Sequence, residues 1–305
     1  MSAWTFDSIP DQAGRVAIVT GANTGIGYET ARALARKGAR VILACRDMAK
    51  AQAAATAIAA EKPAGSVEAQ PLDLSDMESI QRFAQSFTSS QTRLDLLINN
   101  AGVMVPPEGR TRQGFELQFG TNHLGHFALT AQLLPLLRRT AGSRVVVVAS
   151  NAHRDGRIDL EDLNFERRGY KAWPAYCQSK LANLLFVLEL QRRLKAAGAD
   201  ILVTAAHPGW TATDLQRSWW IVRMLNPYLA MKPVDGALPT LRAATDPDAM
   251  AGEYFGPRYL MEMSGPPVRA RLSRRAQDQE TAARLWTTSE AMTGIRYDLL
   301  TPAAA

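Results

Sequence analysis

Short runs of valine, isoleucine and leucine recur along the chain, and segments with the periodicity of helices lie between them. Because apolar residues follow one another in these runs without alternating with polar ones, the runs are typical of strands buried on both faces. Such strands occur in parallel sheets that are covered by helices. The pattern predicts strands at residues 15–20, 40–45, 66–72, 94–99, 144–150 and 201–207.

The segments between the strands predict helices with recognisable ends. Residues 27–38 end in a glycine, residues 48–61 are rich in alanine, and residues 75–87 begin with Ser75, followed by Glu78 three positions later. A serine and a glutamate at this spacing can form a capping box, which satisfies free N–H groups in the first turn.

The alternation of strands and helices from the first residues onward predicts a doubly wound, Rossmann-type α/β fold. A last helix is expected at residues 274–294, with Leu285 and Trp286 packed on the sheet. No linker or internal repeat interrupts the pattern. We therefore expect a single domain over residues 1–305, with a mainly parallel sheet of six or seven strands flanked by helices.

The composition is that of a soluble globular protein. Apolar residues make up 47% of the 305 positions and charged residues 21%, which excludes wholesale disorder. Lysine and arginine exceed aspartate and glutamate by six, with the densest cluster at residues 269–275. We interpret this cluster as a solvated face and expect no nucleic-acid partner, whereas a phosphate-bearing cofactor would use some of the positive charge.

The cysteines, the histidines and the N-terminus restrict the compartment and the chemistry. Cys45 and Cys177 lack the spacing of zinc or redox motifs, which indicates a reducing compartment. The histidines have no carboxylate at metal-ligand spacing, and His123 and His126 are expected in or beside the core. The sequence shows neither a signal peptide nor an apolar stretch of about 20 residues, so we expect a cytoplasmic protein without a membrane span.

Three glycines follow the first predicted strand. Gly21, Gly25 and Gly27 in "TGANTGIG" have the spacing GxxxGxG, which differs from the GxGxxG of the standard dinucleotide fingerprint. Glycines at such a turn let the backbone approach a pyrophosphate, whose charge is stabilised by the N–H groups and dipole of the helix start. The residues expected to contact a dinucleotide here are Gly21, Asn23, Thr24, Gly25, Ile26 and Gly27.

The end of the second strand bears on the choice of dinucleotide. An acidic residue commonly holds the adenosine ribose near this point in NAD-binding proteins, but here Cys45 is followed by Arg46. Without the acid nothing repels a 2′-phosphate, and the guanidinium offers it a forked donor. We therefore expect NADP(H) in preference to NAD(H); the alternative is that Arg46 only caps the strand edge.

Two further segments fit a nucleotide cleft. Asp73 and Leu74 follow the third strand, where a carboxylate could accept a hydrogen bond from the adenine amino group, cap the next helix, or do both. Asn100, Ala101 and Gly102 follow the fourth strand. Strand order is expected to reverse there, and doubly wound folds bind their ligands at such points.

These motifs, in this order, resemble the short-chain dehydrogenase/reductase family. The resemblance also rests on Asn122 in "TNHLG", Ser150 after the fifth strand, "YCQSK" at 176–180 and "HPGWTAT" at 207–213, and it spans about residues 12–295. Details such as "ACRD", "HLGHF" and "YCQSKLANLLF" are similar to the branch that contains retinol dehydrogenases and WW-domain oxidoreductases. The insert after Ser150 is longer than in many members but comparable to that of this branch, and it is expected to modify the pocket rim.

The resemblance implies a catalytic site. Tyr176 and Lys180 are four positions apart and therefore share one helix face. A nearby ammonium favours the phenolate, as does the positive nicotinamide ring of the oxidised cofactor. We therefore expect both to lower the Tyr176 pKa and make it a general acid and base for hydride transfer. In the family the lysine also binds the nicotinamide ribose, the serine corresponding to Ser150 binds the substrate oxygen, and the asparagine corresponding to Asn122 holds a water. The structural alternative for Asn122 is an amide bonded to backbone.

The resemblance also places the loop after the sixth strand beside the nicotinamide. Pro208 and Gly209 would shape this loop, and Thr211 or Thr213 could bond the carboxamide or a phosphate. Residues 210–235 contain a dense apolar set, which suits a segment covering a small hydrophobic carbonyl or alcohol substrate. The alternatives are packing on the core or a partner subunit, or contact with a membrane interface.

Two classes of function follow. The first is an NADP(H)-dependent oxidoreductase acting on an aldehyde, a ketone or a retinal-like substrate, with a carbon–carbon double-bond reductase similar to protochlorophyllide reductases as a variant. The second is a catalytically idle cofactor-binding sensor or interaction protein. The complete set Asn122, Ser150, Tyr176 and Lys180 favours the enzyme, because a scaffold has no need for all four. Relatives commonly pair, so a homodimer or homotetramer is expected.

Overall fold

A computed structural model describes residues 3–210 and 231–298 of the chain. Its strands are β1 Val16–Thr20, β2 Arg40–Cys45, β3 Ser66–Pro71, β4 Leu96–Asn99, β5 Ser143–Val148, β6 Ile201–Ala206, β7 Tyr254–Tyr259 and β8 Ser264–Arg269. They form one sheet in the order β3-β2-β1-β4-β5-β6-β7-β8, parallel except for the antiparallel pair β7 and β8. The strand order therefore reverses between β1 and β4.

Helices cover both faces of this sheet. They are α1 Gly25–Arg36, α2 Met48–Ala60, α3 Met77–Ser90, α4 Gly125–Arg139, α5 Ala172–Ala196, α6 Pro233–Thr245 and α7 Gln279–Thr293. An α-helical turn, Leu117–Phe119, and a π-helical turn, Gly120–Leu124, lead into α4. Short 3-10 helices lie at Phe6–Ser8, Asn151–Arg154 and Arg275–Gln277.

The continuous apolar runs arise because the central strands β1, β2, β4, β5, β6 and β7 each contribute to two cores. Ile18 of β1 is buried with residues of α3, α4, α5 and α7, whereas its neighbour Val19 is buried with residues of α1, α2 and α6. Both side chains are fully inaccessible to solvent. The predicted doubly wound fold is confirmed, and the ends of the predicted strands differ from the observed ends by no more than two residues.

The sheet has eight strands where six or seven were expected. The additional strands, β7 and β8, contain Gly256, Pro257, Gly265, Pro266 and Pro267, residues that are rare in strand interiors. Prolines are tolerated because β8 is an edge strand with only one neighbour. This hairpin is therefore stabilised by its attachment to β6 and not by a local strand preference.

One local expectation was wrong in detail. The cap of α3 is Asp76 and not Ser75, since the Asp76 carboxylate accepts a hydrogen bond from Glu78 N. Trp286 of α7 is 2% exposed and shares a core cluster with residues of the sheet, and its ring also contacts aromatic rings of two helices. Its ring centroid lies 5.1 Å from that of Phe127 in α4 and 5.9 Å from that of Phe186 in α5.

The remaining core expectations concern histidines, metals and membranes. His123 and His126 are both buried, as expected. Over residues 3–210 and 231–298, no three His, Cys, Asp or Glu side chains are grouped so that they could hold a metal ion. In the same ranges no helix combines the length and the apolar character needed to cross a bilayer.

Candidate active site

The glycine turn connects β1 to α1. It lies very close to the residues that follow β4. Gly21 adopts a left-handed conformation with φ +66°, and a Cβ placed on it would lie 2.9 Å from the Cβ of Ala101. A Cβ on Gly27 would lie 2.5 Å from the carbonyl oxygen of Gly21. Because no larger side chain fits at either position, the backbone of the helix start remains uncovered and available to an anion.

Thr20, the last residue of β1, binds the segment after β4 that forms the opposite wall of this cleft. The Thr20 hydroxyl oxygen accepts hydrogen bonds from Asn100 N and Ala101 N, both at 2.9 Å. The Asn100 side-chain amide in turn donates to the Thr20 carbonyl at 2.8 Å. The predicted "NNAG" segment is therefore bound directly to the glycine turn, at the point where the strand order reverses.

A cavity of about 390 Å³ opens at this point, a volume in the usual range of small-molecule sites. The predicted site residues that line it are Gly21, Asn23, Thr24, Gly25, Ile26, Gly27, Asn100, Ala101, Gly102, Tyr176, Lys180 and Pro208. The sequence reasoning missed the apolar wall Val103, Met104, Pro106, Val148 and Ala149. Those residues carry no chemical motif, and only their positions after β4 and at the end of β5 could have indicated them.

The residues predicted to hold the adenosine end lie outside the cavity lining. Arg46 is exposed directly after β2, and the preceding Cys45 thiol is close enough to hydrogen-bond the N–H groups of the glycine turn. The Asp73 carboxylate accepts from the backbone N and the hydroxyl of Ser75 at 2.9 and 2.6 Å. Leu74 is buried and packs on the start of α4. Asp73 therefore stabilises a local turn ahead of α3 and does not cap that helix, whose N-cap is Asp76.

The tyrosine and the lysine share one face of α5, one turn apart, beside the end of β5. Tyr176 is 8% exposed and Lys180 is 5% exposed. The Lys180 ammonium lies 5.7 Å from the centroid of the Tyr176 ring and donates to the carbonyl of Val148 at 3.1 Å. The Ser150 hydroxyl accepts from Ala152 N at 3.2 Å and lies close enough to the Tyr176 hydroxyl to lower the pKa of that phenol.

The expected lowering of the Tyr176 pKa is wrong for the protein alone. Burial raises the pKa of this phenol to about 12, although the hydrogen bond with Ser150 acts in the opposite direction. Burial also lowers the pKa of the Lys180 ammonium to about 8. The apolar surroundings disfavour both charged forms.

Asn122 occupies the π-helical turn before α4 and is fully buried. Its side-chain oxygen accepts from Val103 N at 2.8 Å, and its amide donates to the Val103 carbonyl at 3.0 Å and to the Ser179 hydroxyl at 2.9 Å. These bonds correspond to the structural alternative for Asn122. They also connect the cavity wall at Val103 to α5, next to Lys180.

The long insert between Ser150 and Tyr176 forms part of the rim, as the resemblance implied. The Tyr170 hydroxyl donates to the Pro106 carbonyl at 2.8 Å and accepts from the Gln118 amide at 3.1 Å. Trp173 is 37% exposed, and its ring centroid lies 5.9 Å from that of Tyr176. An aromatic and apolar rim therefore adjoins the phenol.

The last predicted segment is described only in part. Pro208 lines the cavity, and Gly209 lies next to it with its N–H directed at the His207 ring. Thr211 and Thr213 lie outside the described residues, as does most of the expected substrate-covering segment 210–235.

Known proteins share both the sequence and this architecture. The profile of a family described as short chain dehydrogenase matches residues 15–221. The chain is 44% identical to retinol dehydrogenase 13 of Homo sapiens over 293 residues, which cover 92% of this chain and 85% of that protein.

Solved structures agree with the sequence comparison. The crystal structure of an uncharacterized protein from Mycobacterium paratuberculosis is 46% identical, with a TM-score of 0.83 over 97% of this chain and 99% of that chain. The Pseudomonas aeruginosa RhlG/NADP active-site complex is 30% identical, with a TM-score of 0.64 over 83% and 96% of the two chains.

Replacement of Gly21 by alanine is expected to weaken NADPH binding by at least about tenfold, equivalent to about 1.4 kcal/mol. The added Cβ would push the turn away from Ala101, 2.9 Å distant. Gly142→Ala is the matched control, because Gly142 has φ +68° and nothing within 4 Å of an added Cβ. Fluorescence titration with NADPH measures both variants, and equal dissociation constants would contradict the proposed contact.

Lys180 is expected to make stability rise with pH. Its folded-state pKa is about 8 and its usual value is 10.5, so between these values the unfolded chain binds more protons and unfolding becomes less favourable. Urea titrations at pH 7.5 and 9.5 should show wild type gaining about 1–2 kcal/mol relative to Lys180→Met. The exposed Lys171 provides the control, since Lys171→Met should keep the wild-type pH dependence. If the free energy of unfolding changed equally with pH in Lys180→Met and in wild type, the Lys180 ammonium would not be desolvated in the folded protein.

Proposed function

Because the chain belongs to the short-chain dehydrogenase family and is retinol dehydrogenase-like, we propose that it is an NADP(H)-dependent oxidoreductase acting on carbonyl or alcohol groups. The observation that carries the proposal is the meeting of Ser150, Tyr176 and Lys180 beside the cavity that begins at the glycine turn. An oxidoreductase acting on alcohols or carbonyls follows from the family, and the cofactor, substrate and proton donor are the proposed parts.

The residues around the cleft fit a dinucleotide. A Cβ would collide with the opposite wall at Gly21 and with the turn itself at Gly27, so the backbone can approach a pyrophosphate closely. Arg46 would hold a 2′-phosphate, Asp73 the adenine, and Lys180 the nicotinamide ribose. When bound, the nicotinamide supplies or accepts the hydride at its C4.

Tyr176 would move the proton. With a pKa near 12, its hydroxyl is protonated at neutral pH, which is the form that a general acid requires. During reduction the carbonyl carbon receives the hydride, and the carbonyl oxygen takes the proton from the Tyr176 hydroxyl, so that an alcohol is formed. Ser150, which lies beside that hydroxyl, would donate to the same substrate oxygen and stabilise its developing charge.

The proposed substrate is a small hydrophobic aldehyde, ketone or alcohol. Tyr176 and Ala152 form a buried apolar cluster with Val105, against which Met104 packs, and the exposed Trp173 extends it outward. Such surroundings favour an apolar substrate over a charged one. We also propose a cytoplasmic location and a homo-oligomer; the free, buried Cys45 and Cys177 support a reducing compartment.

Substitution of Tyr176 by phenylalanine is expected to lower kcat/KM for hydrophobic aldehydes by about 10²–10⁴-fold, the usual contribution of a positioned proton donor. NADPH affinity should change by less than about threefold, because only the hydroxyl is removed. Tyr297→Phe is the control, since Tyr297 is another buried phenol whose hydroxyl donates to the Phe127 carbonyl. Turnover by Tyr176→Phe at the wild-type rate would remove Tyr176 from the mechanism.

Arg46→Ala is expected to weaken NADPH binding by about 10–100-fold, since a hydrogen bond to a charged group contributes about 1.5–3 kcal/mol. NADH binding should be almost unaffected, because NADH lacks the 2′-phosphate. Arg36→Ala removes an exposed guanidinium at the far end of α1 and should leave both affinities unchanged. Equal losses for the two nucleotides in Arg46→Ala would exclude Arg46 as the phosphate contact.

A further inference from the structure

The turn between β7 and β8 lies against two loops of the active site and has an unusual backbone. Leu260, Met261 and Glu262 have φ values of +51°, +57° and +65°, a left-handed conformation that non-glycine residues adopt at a cost of about 1–2 kcal/mol each. Three such residues in a row persist only where the surrounding contacts determine them. Those contacts centre on Glu262.

The Glu262 carboxylate joins three segments. Its Oε2 accepts from the Arg154 guanidinium at 3.1 Å and lies 3.3 Å from His207 Nε2, while its Oε1 accepts from Arg271 N at 3.1 Å. The side chain is 18% exposed, and the His207 side chain is 1% exposed. We refer to Arg154, His207, Glu262 and Arg271 as the Glu262 cluster.

On one side the cluster holds the loop after β6. His207 Nδ1 accepts a hydrogen bond from Gly209 N at 3.3 Å, which assigns the ring proton to Nε2, facing the carboxylate. His207 Nε2 has no hydrogen-bond partner among the described residues, so its contact with the carboxylate is mainly electrostatic. Pro208, between these two residues, lines the cavity.

On the other side the cluster holds the turn that carries Ser150. Arg154 ends the 3-10 helix that Ser150 caps, and the Asn151 amide donates to the carbonyls of Met261 and Glu262 at 3.2 and 3.3 Å. The residue after Ser150 is therefore bound directly to the left-handed turn.

The protonation states of the Glu262 cluster favour its contacts with both loops. Burial raises the pKa of the Glu262 carboxyl, but the contacts with His207, Arg271 N and Arg154 outweigh it and bring the pKa to about 2. Burial lowers the pKa of His207 although Glu262 raises it. At neutral pH the cluster therefore contains a carboxylate, a guanidinium and a neutral imidazole.

We propose that Glu262 is a positioning residue, which fixes the Ser150 turn and the Pro208 loop relative to each other and so keeps the Ser150 hydroxyl beside Tyr176. Glu262 itself lies outside the cavity lining and acts through Arg154, His207 and the carbonyl contacts of Asn151. The catalytic part of this proposal rests on the proposed function, whereas the coupling between the two loops does not.

The test is Glu262→Gln, which removes the charge and keeps the shape. Hydrogen exchange should become faster at residues 151–156 and 207–210, because both segments lose a shared anchor. Glu253→Gln is the matched control: Glu253 is a half-buried carboxylate at the other end of the same hairpin, paired with Arg269. Glu253→Gln should make hydrogen exchange faster only at residues near Glu253 and Arg269.

Kinetics of Glu262→Gln provide the second measurement. We expect kcat to fall by at least about tenfold, since a displacement of about 1 Å can cost up to about 10²-fold, while NADPH affinity stays within about threefold. The apparent pKa of kcat for alcohol oxidation should rise by at least about 0.5 unit, because the Ser150 hydrogen bond that favours the phenolate is weakened. Glu253→Gln should leave kcat and this pKa unchanged.

Arg154→Met removes the exposed guanidinium of the Glu262 cluster. The same measurements are made on this variant if Glu262→Gln does not fold. Unchanged exchange at both segments, or faster exchange with wild-type kcat and pKa, would overturn the proposal. If the wild-type protein itself reduces no aldehyde, the proposed function fails, and the exchange measurement still decides whether Glu262 couples the two loops.

Discussion

The active site depends on one buried hydroxyl, that of Thr20 at the end of β1. Its oxygen accepts from Asn100 N and Ala101 N at 2.9 Å, and His126 Nε2 lies at the same distance. With both lone pairs used, the hydroxyl proton is directed to the imidazole, whose Nδ1–H then donates to the Asn122 carbonyl at 3.0 Å. Burial lowers the pKa of His126 to about 4, so the ring stays neutral in this role. The glycine turn, the cavity wall and the π-helical turn are thereby joined through one oxygen.

Tyr176 and Lys180, the pair proposed to act in catalysis, lie in surroundings that oppose charge on both side chains. The phenol of Tyr176 and the ammonium of Lys180 are each less easily ionised than in water, because burial penalises the charged forms. A bound cofactor with a positively charged ring would favour the phenolate, and a developing negative charge on a substrate oxygen would favour the ammonium. In the protein alone the phenol keeps its proton at neutral pH, whereas burial makes the Lys180 ammonium lose its proton more readily than in water.

The sequence predicted those structural features that are determined by residues close together in the chain. Buried strands appear as continuous apolar runs, glycines appear where a Cβ cannot fit, as at Gly21, and the spacing of Tyr176 and Lys180 places them on one helix face. The parts that it did not predict depend on distant neighbours. β7 and β8 exist because β6 offers them a partner, and the Trp286 ring also contacts helices because α4 and α5 bring two phenylalanines to it. The raised Tyr176 pKa reflects a burial that no spacing reveals, and the Glu262 cluster joins residues that are more than a hundred positions apart.

The two consecutive prolines in β8 have a consequence for how copies of this chain can meet. Amide groups of successive residues in a strand point to opposite sides, so one of Pro266 and Pro267 leaves a gap in the outer row of donors. At the opposite edge, β3 carries Glu68 and Gln70, polar side chains that discourage stacking of another strand. Among the described residues, both edges of the sheet are thus poor templates for continued strand pairing with another copy of the chain.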